Sequence, residues 1–235
     1  MRLPCTALRS GTMIALLICL FGTVGAASKK SATVTLMQGI PCQGKVRLYS
    51  DGKIKSCCLA AADSVSGYYL PAGSRLSFRP SGTLSDCVLG GDASFYGQSL
   101  PAETEVCFKR DGQFSCFWPP DDTMIQGHLV QPHIGGVGNK LYPNSTLRAF
   151  WLARDEVIDG VPCSSSNSVL KYGLRVITMG TNRMVYLYDD GHLRQAMLSR
   201  DCDIGGYPYD KGDVVRFAPD GKPDRDAPLL DYFLE

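Results

Sequence analysis

The side chains able to do chemistry are few and widely spaced. His128 and His133 flank Leu129-Val130-Gln131-Pro132, and two imidazoles with a nearby aspartate would suit a metal. Two exposed loop histidines fit the same spacing, and no metal is expected. His192 follows Asp190-Gly191 and reads as a surface residue beside a hairpin turn. Trp118 precedes Pro119-Pro120-Asp121-Asp122, and an aromatic beside rigid prolines can serve as a platform for a sugar or a peptide. It also suits a core face shared with Phe114 and Cys116. Trp118, His128 and His133 are therefore the candidate ligand-binding residues.

Catalytic signatures are missing where they would be expected. Ser164-Ser165-Ser166-Asn167-Ser168 follows Cys163 without a G-x-S-x-G elbow or a placed histidine base, and reads as a loop. Gly135-Gly136-Val137-Gly138-Asn139-Lys140 lacks the spacing of a phosphate loop, because Leu141 stands where Ser or Thr belongs. Nothing among the 23 acidic residues singles out a pair for glycoside hydrolysis. Asp63, Asp92, Asp121, Asp122, Asp155, Glu156, Asp201 and Asp203 recur between apolar segments. They could line an edge that holds calcium, but aspartate also closes turns by accepting from nearby backbone N–H groups, and that reading is preferred. No catalytic residue and no cofactor are expected.

The N-terminus reads as a signal peptide over residues 1–27. Arg2 and Arg9 precede the apolar run Met13 to Phe21, and small residues follow at Gly22, Gly25, Ala26, Ala27 and Ser28, the pattern of a secretory cleavage site. The run is short of the roughly 20 residues a bilayer span needs, so no stable membrane span is expected after cleavage. Losing Arg2 and Arg9 leaves 22 basic residues against 23 acidic. That balance gives no electrostatic footprint for nucleic acid. Eight cysteines remain: Cys42, Cys57, Cys58, Cys87, Cys107, Cys116, Cys163 and Cys202. They form no paired C-x-x-C knuckles for zinc, and all eight are disulfide candidates in an exported chain. A periplasmic or secreted location is expected.

The elements that must position these residues repeat. A turn signal recurs at Asp51-Gly52, Ser81-Gly82, Asp111-Gly112, Asn144-Ser145, Asp190-Gly191 and Asp220-Gly221. Between these turns, Tyr69-Leu70-Pro71-Ala72-Gly73-Ser74 echoes Ser99-Leu100-Pro101-Ala102-Glu103-Thr104, and Gly39-Ile40-Pro41-Cys42 echoes Gly160-Val161-Pro162-Cys163. Opening glycines fall at Gly39, Gly67, Gly97, Gly127, Gly160 and Gly206. The expected fold is all-β, an array of about six stacked hairpin units of roughly 30 residues. An extended sheet and a solenoid or sandwich-like stack both remain open. Residues 28–38 lead into a repeat domain over 39–224, with an insertion at 164–183 and a tail at 225–235.

Pro80-Ser81-Gly82 and Pro219-Asp220-Gly221 predict three-residue loops that end in a glycine at φ > 0, a type I turn with a G1 bulge. Such a loop sets residue i opposite i+6. It pairs Leu48 with Ile54, Phe78 with Leu84, Phe108 with Phe114, Leu141 with Leu147 and Leu187 with Leu193, all apolar on both sides. Continuing this register sets Cys107 opposite Ser115 and argues against a Cys107–Cys116 bridge. Cys57 and Cys87 are equivalent in neighbouring units. In a single sheet they lie roughly 10 Å apart, too far for a disulfide; stacked as solenoid coils they are close enough to bridge.

The glycine, aromatic and x-Asp-Gly punctuation of residues 39–224 resembles MORN-like and YwqK-type bacterial β-hairpin repeats. This unit is longer than the MORN repeat and carries cysteine positions outside that pattern. The resemblance implies stacked hairpins and an interaction or scaffold role. The expected function is that of an exported, non-catalytic binding or structural module, with a protein or glycan at the cell envelope as its partner. The alternative is a secreted hydrolase or inhibitor with its site in the 164–183 insertion.

Overall fold

A computed structural model describes residues 34–132, 136–165, 183–228 and 230. The signal peptide, His133 and nearly all of the 164–183 insertion lie outside the described residues. The described residues belong to one compact unit. The strands are β1 (Val34–Met37), β2 (Ile40–Leu48), β3 (Ile54–Leu59), β4 (Asp63–Val65), β5 (Tyr68–Leu70), β6 (Arg75–Phe78) and β7 (Leu84–Val88). They continue with β8 (Ala93–Phe95), β9 (Gln98–Leu100), β10 (Glu105–Phe108), β11 (Phe114–Trp118), β12 (Thr123–Ile125), β13 (His128–Val130), β14 (Lys140–Leu141) and β15 (Leu147–Phe150). The last are β16 (Glu156–Ile158), β17 (Val161–Cys163), β18 (Val185–Leu187), β19 (Leu193–Met197), β20 (Cys202–Ile204), β21 (Tyr207–Tyr209) and β22 (Val214–Arg216). No helix forms among the described residues, and all pairing between these strands is antiparallel. The protein is all-β, as its alternation predicts.

The long strands make two sheets, ordered β1-β2-β3-β6-β7-β10-β11 and β14-β15-β18-β19-β22, and neither closes into a barrel. Phe117 and Asn139 exchange both backbone bonds at 2.9 Å, which joins β11 to the residue before β14. The tight turns between long strands are those read from the sequence. Gly52, Gly82, Gly112, Gly191 and Gly221 all take positive φ, and Ser145 takes the same conformation at φ 75°. Every pair six residues apart forms as expected: Leu48 with Ile54, Phe78 with Leu84, Phe108 with Phe114, Leu141 with Leu147 and Leu187 with Leu193.

Beyond that first pair the expected register fails by one residue. A bulge follows Phe108, so Cys107 faces Cys116 rather than Ser115. The two form a disulfide with Cα atoms 5.3 Å apart, which corrects the argument against that bridge. The physical cause is a second bulge, one pair beyond the turn's own bulge at Gly112. Ser115 is its extra residue, and everything further along β11 turns to the other face of the sheet. Trp118 is corrected for the same reason. It pairs with Glu105 and lies on the face of Cys116, whereas Phe114 stacks on Phe117 in the core with ring centroids 6.4 Å apart. The equivalent cysteines obey the single-sheet expectation: Leu76 pairs with Cys57 on one side and with Cys87 on the other, standing between the two.

The opening glycines have a different place from the one the repeat suggests. Each is the second turn residue of another, shorter hairpin. Gln38-Gly39, Ser66-Gly67, Tyr96-Gly97, Gln126-Gly127, Asp159-Gly160 and Gly205-Gly206 all have positive φ at both positions, the conformation of a type I′ turn. The three-residue strands β4–β5, β8–β9, β12–β13, β16–β17 and β20–β21 form separate two-stranded pieces. They pack against the long strands: Phe95 of β8 lies 6.3 Å from Phe108 and 5.1 Å from Phe114, ring to ring. Val65, Leu70, Leu100, Ile125, Val130, Ile158 and Val161 join it in the same buried core as Leu76, Val106 and Phe117.

Side chains carry the register from one long hairpin to the next. Tyr49 donates its hydroxyl to the Phe78 carbonyl at 2.7 Å, Tyr142 to Leu187 at 3.0 Å and Tyr188 to Phe217 at 2.8 Å. Arg79 occupies the corresponding place and donates to Phe108 at 2.6 Å. These residues satisfy carbonyls at the turn ends, where the ladder itself has no partner for them.

Candidate functional site

The recurring aspartates close turns. Asp51, Asp111, Asp190 and Asp220 each accept from the backbone N–H two residues on, and Asn144 does the same. Asp92, Asp155 and Asp201 accept from Ala102, Ser165 and Lys211 respectively, each ten residues on. Each of these bonds engages Oδ1, the turn-closing role that aspartate plays by accepting from nearby backbone N–H groups. Among the described residues no three His, Cys, Asp or Glu side chains converge on a point where a metal would sit.

His128 lies on strand β13 and is largely covered. Its Nδ1 meets Glu156 Oε2 at 3.1 Å, and its ring sits 5.1 Å from that of Phe150. Glu156 Oε1 accepts from the Leu129 backbone N–H at 2.9 Å. The loop expectation for His128 is thereby corrected: it ties one short hairpin to the next. His192 does lie at the surface beside its turn, with Nδ1 3.4 Å from Asp159 Oδ2. Trp118 is half-buried, and the glycine-rich run explains itself there. A Cβ on Gly138 would come within 2.9 Å of the Trp118 ring and 3.0 Å of Cys116, so the indole is packed against backbone. Ser164 and Ser165 are buried. Trp118 ends β11 and His128 opens β13, which belong to different sheets.

Among the described residues, six cysteines are thiols: Cys42, Cys57, Cys58, Cys87, Cys163 and Cys202. Burial pushes Cys87 and Cys163 up to about 12, because a thiolate in an apolar core loses its hydration. At pH 8 in the native protein, iodoacetamide is expected to label the partly exposed Cys58 and leave Cys87 and Cys163 untouched, read by mass spectrometry. The folded values lie above the ordinary 9.0. The core therefore keeps its full stability below pH 9 and loses it as pH rises toward 12, since the unfolded chain then releases protons that the fold retains. Alkaline unfolding followed by circular dichroism checks the sign.

The short hairpins present a feature that sequence reasoning missed. Side chains alternate across a strand, and here the flanking pairs point into the core. The central pairs lie on the other side: Leu36 with Pro41, Ser64 with Tyr69, Ser94 with Ser99, Met124 with Leu129, Val157 with Pro162 and Asp203 with Pro208, of which Pro162 is covered. Leu36 is 72% exposed, Tyr69 68%, Met124 55% and Val157 64%. Neighbouring short hairpins touch side by side, through the Tyr68 and Phe95 rings at 5.5 Å, Gln126 to Gln98 at 2.9 Å and His128 to Glu156. The only signal in the sequence was the x-Gly turn itself, because three-residue strands are too short to show alternation.

No protein-family model, curated protein or solved structure matches this chain. No helix among the described residues is long and apolar enough to cross a membrane, which leaves strand-built spans unaddressed.

Proposed function

We propose that this chain is an exported, non-catalytic β-repeat protein that acts as a binding or structural module at the cell envelope, with a protein or glycan as its partner. On this reading it is built from about six units of the MORN-like kind, each pairing one long hairpin with one short one. The observation that carries the proposal is the set of outward apolar side chains Leu36, Tyr69, Met124 and Val157, each in the central pair of its own short hairpin. Apolar surface held in water at repeated positions gains free energy when a partner covers it, and repeated units offer extended faces for such contact. The Cys107–Cys116 disulfide supports an oxidising compartment.

A triple variant, Tyr69→Ser with Met124→Ser and Val157→Ser, tests it. These side chains are exposed, so the variant is expected to fold as the parent does. Its binding to an immobilised, solubilised envelope fraction is expected to fall at least about tenfold, roughly the loss of 1.4 kcal/mol. Binding unchanged within twofold would remove this face from consideration.

A further inference from the structure

Cys42 and Cys57 are both buried in the apolar core, at 0% and 5% exposure. They stand on paired strands: β2 carries Cys42 opposite Leu59, and Cys57 is two residues before Leu59 on β3. Residues of one strand separated by two share a face, so the thiols of Cys42 and Cys57 project to the same side, diagonally across the pair. Burial, with the Cys42 thiol beside it, raises the Cys57 thiol to about 12. The ladder between these strands is interrupted just there. Pairing runs from Gln43 with Cys58 straight to Arg47 with Ser56, and Gly44 takes φ 66°. Cys57 therefore faces a stretch of β2 to which no ladder bond holds it. Cys87 cannot compete as its partner, because strand β6 runs between β3 and β7.

We infer that Cys42 and Cys57 close a second disulfide bond when the chain folds under oxidising conditions, pinning β2 to β3 across the gap in their ladder. One cysteine thiolate attacks an external disulfide, R–S–S–R, and forms a mixed disulfide with release of one thiol. The other cysteine, deprotonated, then displaces the second R–S⁻ and completes the Cys42–Cys57 bond. Two protons and two electrons leave the pair, and the external disulfide is reduced to two thiols. Both sulfurs are covered in the finished core, so the exchange precedes closure of the N-terminal hairpin and the bond resists reduction afterwards.

The experiment uses the full chain from Ser28, refolded from denaturant in reduced and oxidised glutathione, then denatured without reductant, alkylated with iodoacetamide and mapped by mass spectrometry. A Cys42 peptide joined to the Cys57-Cys58 peptide is expected. The link is expected to persist in Cys58→Ser and to vanish in Cys57→Ser, which separates the two adjacent sulfurs. Recovery of Cys42 and Cys57 as alkylated or glutathionylated thiols, or a link that survives only with Cys58 present, overturns the inference. Mapping of the protein isolated from cells bears separately on export. A bond that forms on refolding but is absent in the cellular protein counts against the envelope location and leaves the chemistry of the pair standing.

Discussion

Replacing Phe95 by Ala is expected to lower the stability of the fold by about 3 to 5 kcal/mol, the range for truncating a fully buried aromatic. Phe95 is 1% exposed. Its ring contacts Tyr68 of the preceding short hairpin and both Phe108 and Phe114 of the long hairpin beneath. It thus joins two layers and two neighbouring units at once, and no other side chain can move into its space without opening a gap elsewhere. Urea unfolding of Phe95→Ala, followed by intrinsic fluorescence, measures the loss. Ser94→Ala, one residue away on the outer face, serves as the control and is expected within about 0.5 kcal/mol of the parent. Near-equal midpoints for the two variants would show that the short hairpins do not pack on the sheet as described.

Gly90→Ala is expected to cost about 3 kcal/mol, at the upper end of the range for forcing atoms into filled space. The backbone of Gly90 runs directly against the turn before β6. An added Cβ would meet the Ala72 carbonyl oxygen at 2.2 Å and the Ser74 nitrogen at 2.5 Å. These are backbone atoms in a hydrogen-bonded turn, Ser74 N–H to the Pro71 carbonyl at 3.2 Å, so they cannot rotate away. The Gly90 N–H also donates to the buried Ser74 hydroxyl at 3.0 Å. Gly82→Ala is the informative comparison. Nothing lies within 4 Å of a Cβ there, but φ is +90°, so its smaller cost of about 1 kcal/mol comes from backbone conformation alone. Thermal denaturation of both variants separates crowding from strain. If Gly90→Ala proved no worse than Gly82→Ala, the close approach of the two backbones would be wrong.

The Ser74–Gly90 bond also shows how a repeat tolerates an exception. Thr104 holds the place of Ser74 in the next unit, and the place of Gly90 falls to Pro120, which has no N–H to give. The Thr104 hydroxyl is buried and lacks a partner. The Pro119-Pro120 pair beside Trp118 therefore cannot repeat the Ser74–Gly90 bond.

Local chemistry made a good part of this protein readable from its residues. An x-Asp-Gly sequence admits few turns, since the aspartate bonds the N–H two residues on and the glycine alone accepts φ > 0 cheaply. The loop length and the five apolar pairs six residues apart followed from that, and the structure has every one of them. The resemblance of Gly39-Ile40-Pro41-Cys42 to Gly160-Val161-Pro162-Cys163 likewise marked a true equivalence, at the second strand of a short hairpin. What needed the tertiary structure was anything beyond the first pair of a ladder. One extra residue in the bulge, Ser115, sends Cys116 and Trp118 to the opposite face and brings Cys116 to Cys107. The strands of the short hairpins, three residues each, bury one pair and expose the next only because a sheet lies beneath them. The outward placing of Leu36, Tyr69, Met124 and Val157, and the diagonal placing of Cys42 and Cys57 on paired strands, arise from packing between segments. Spacing along a chain fixes a turn, because a turn is closed by its own atoms; which face a side chain shows to water is settled by what the rest of the chain lays against it.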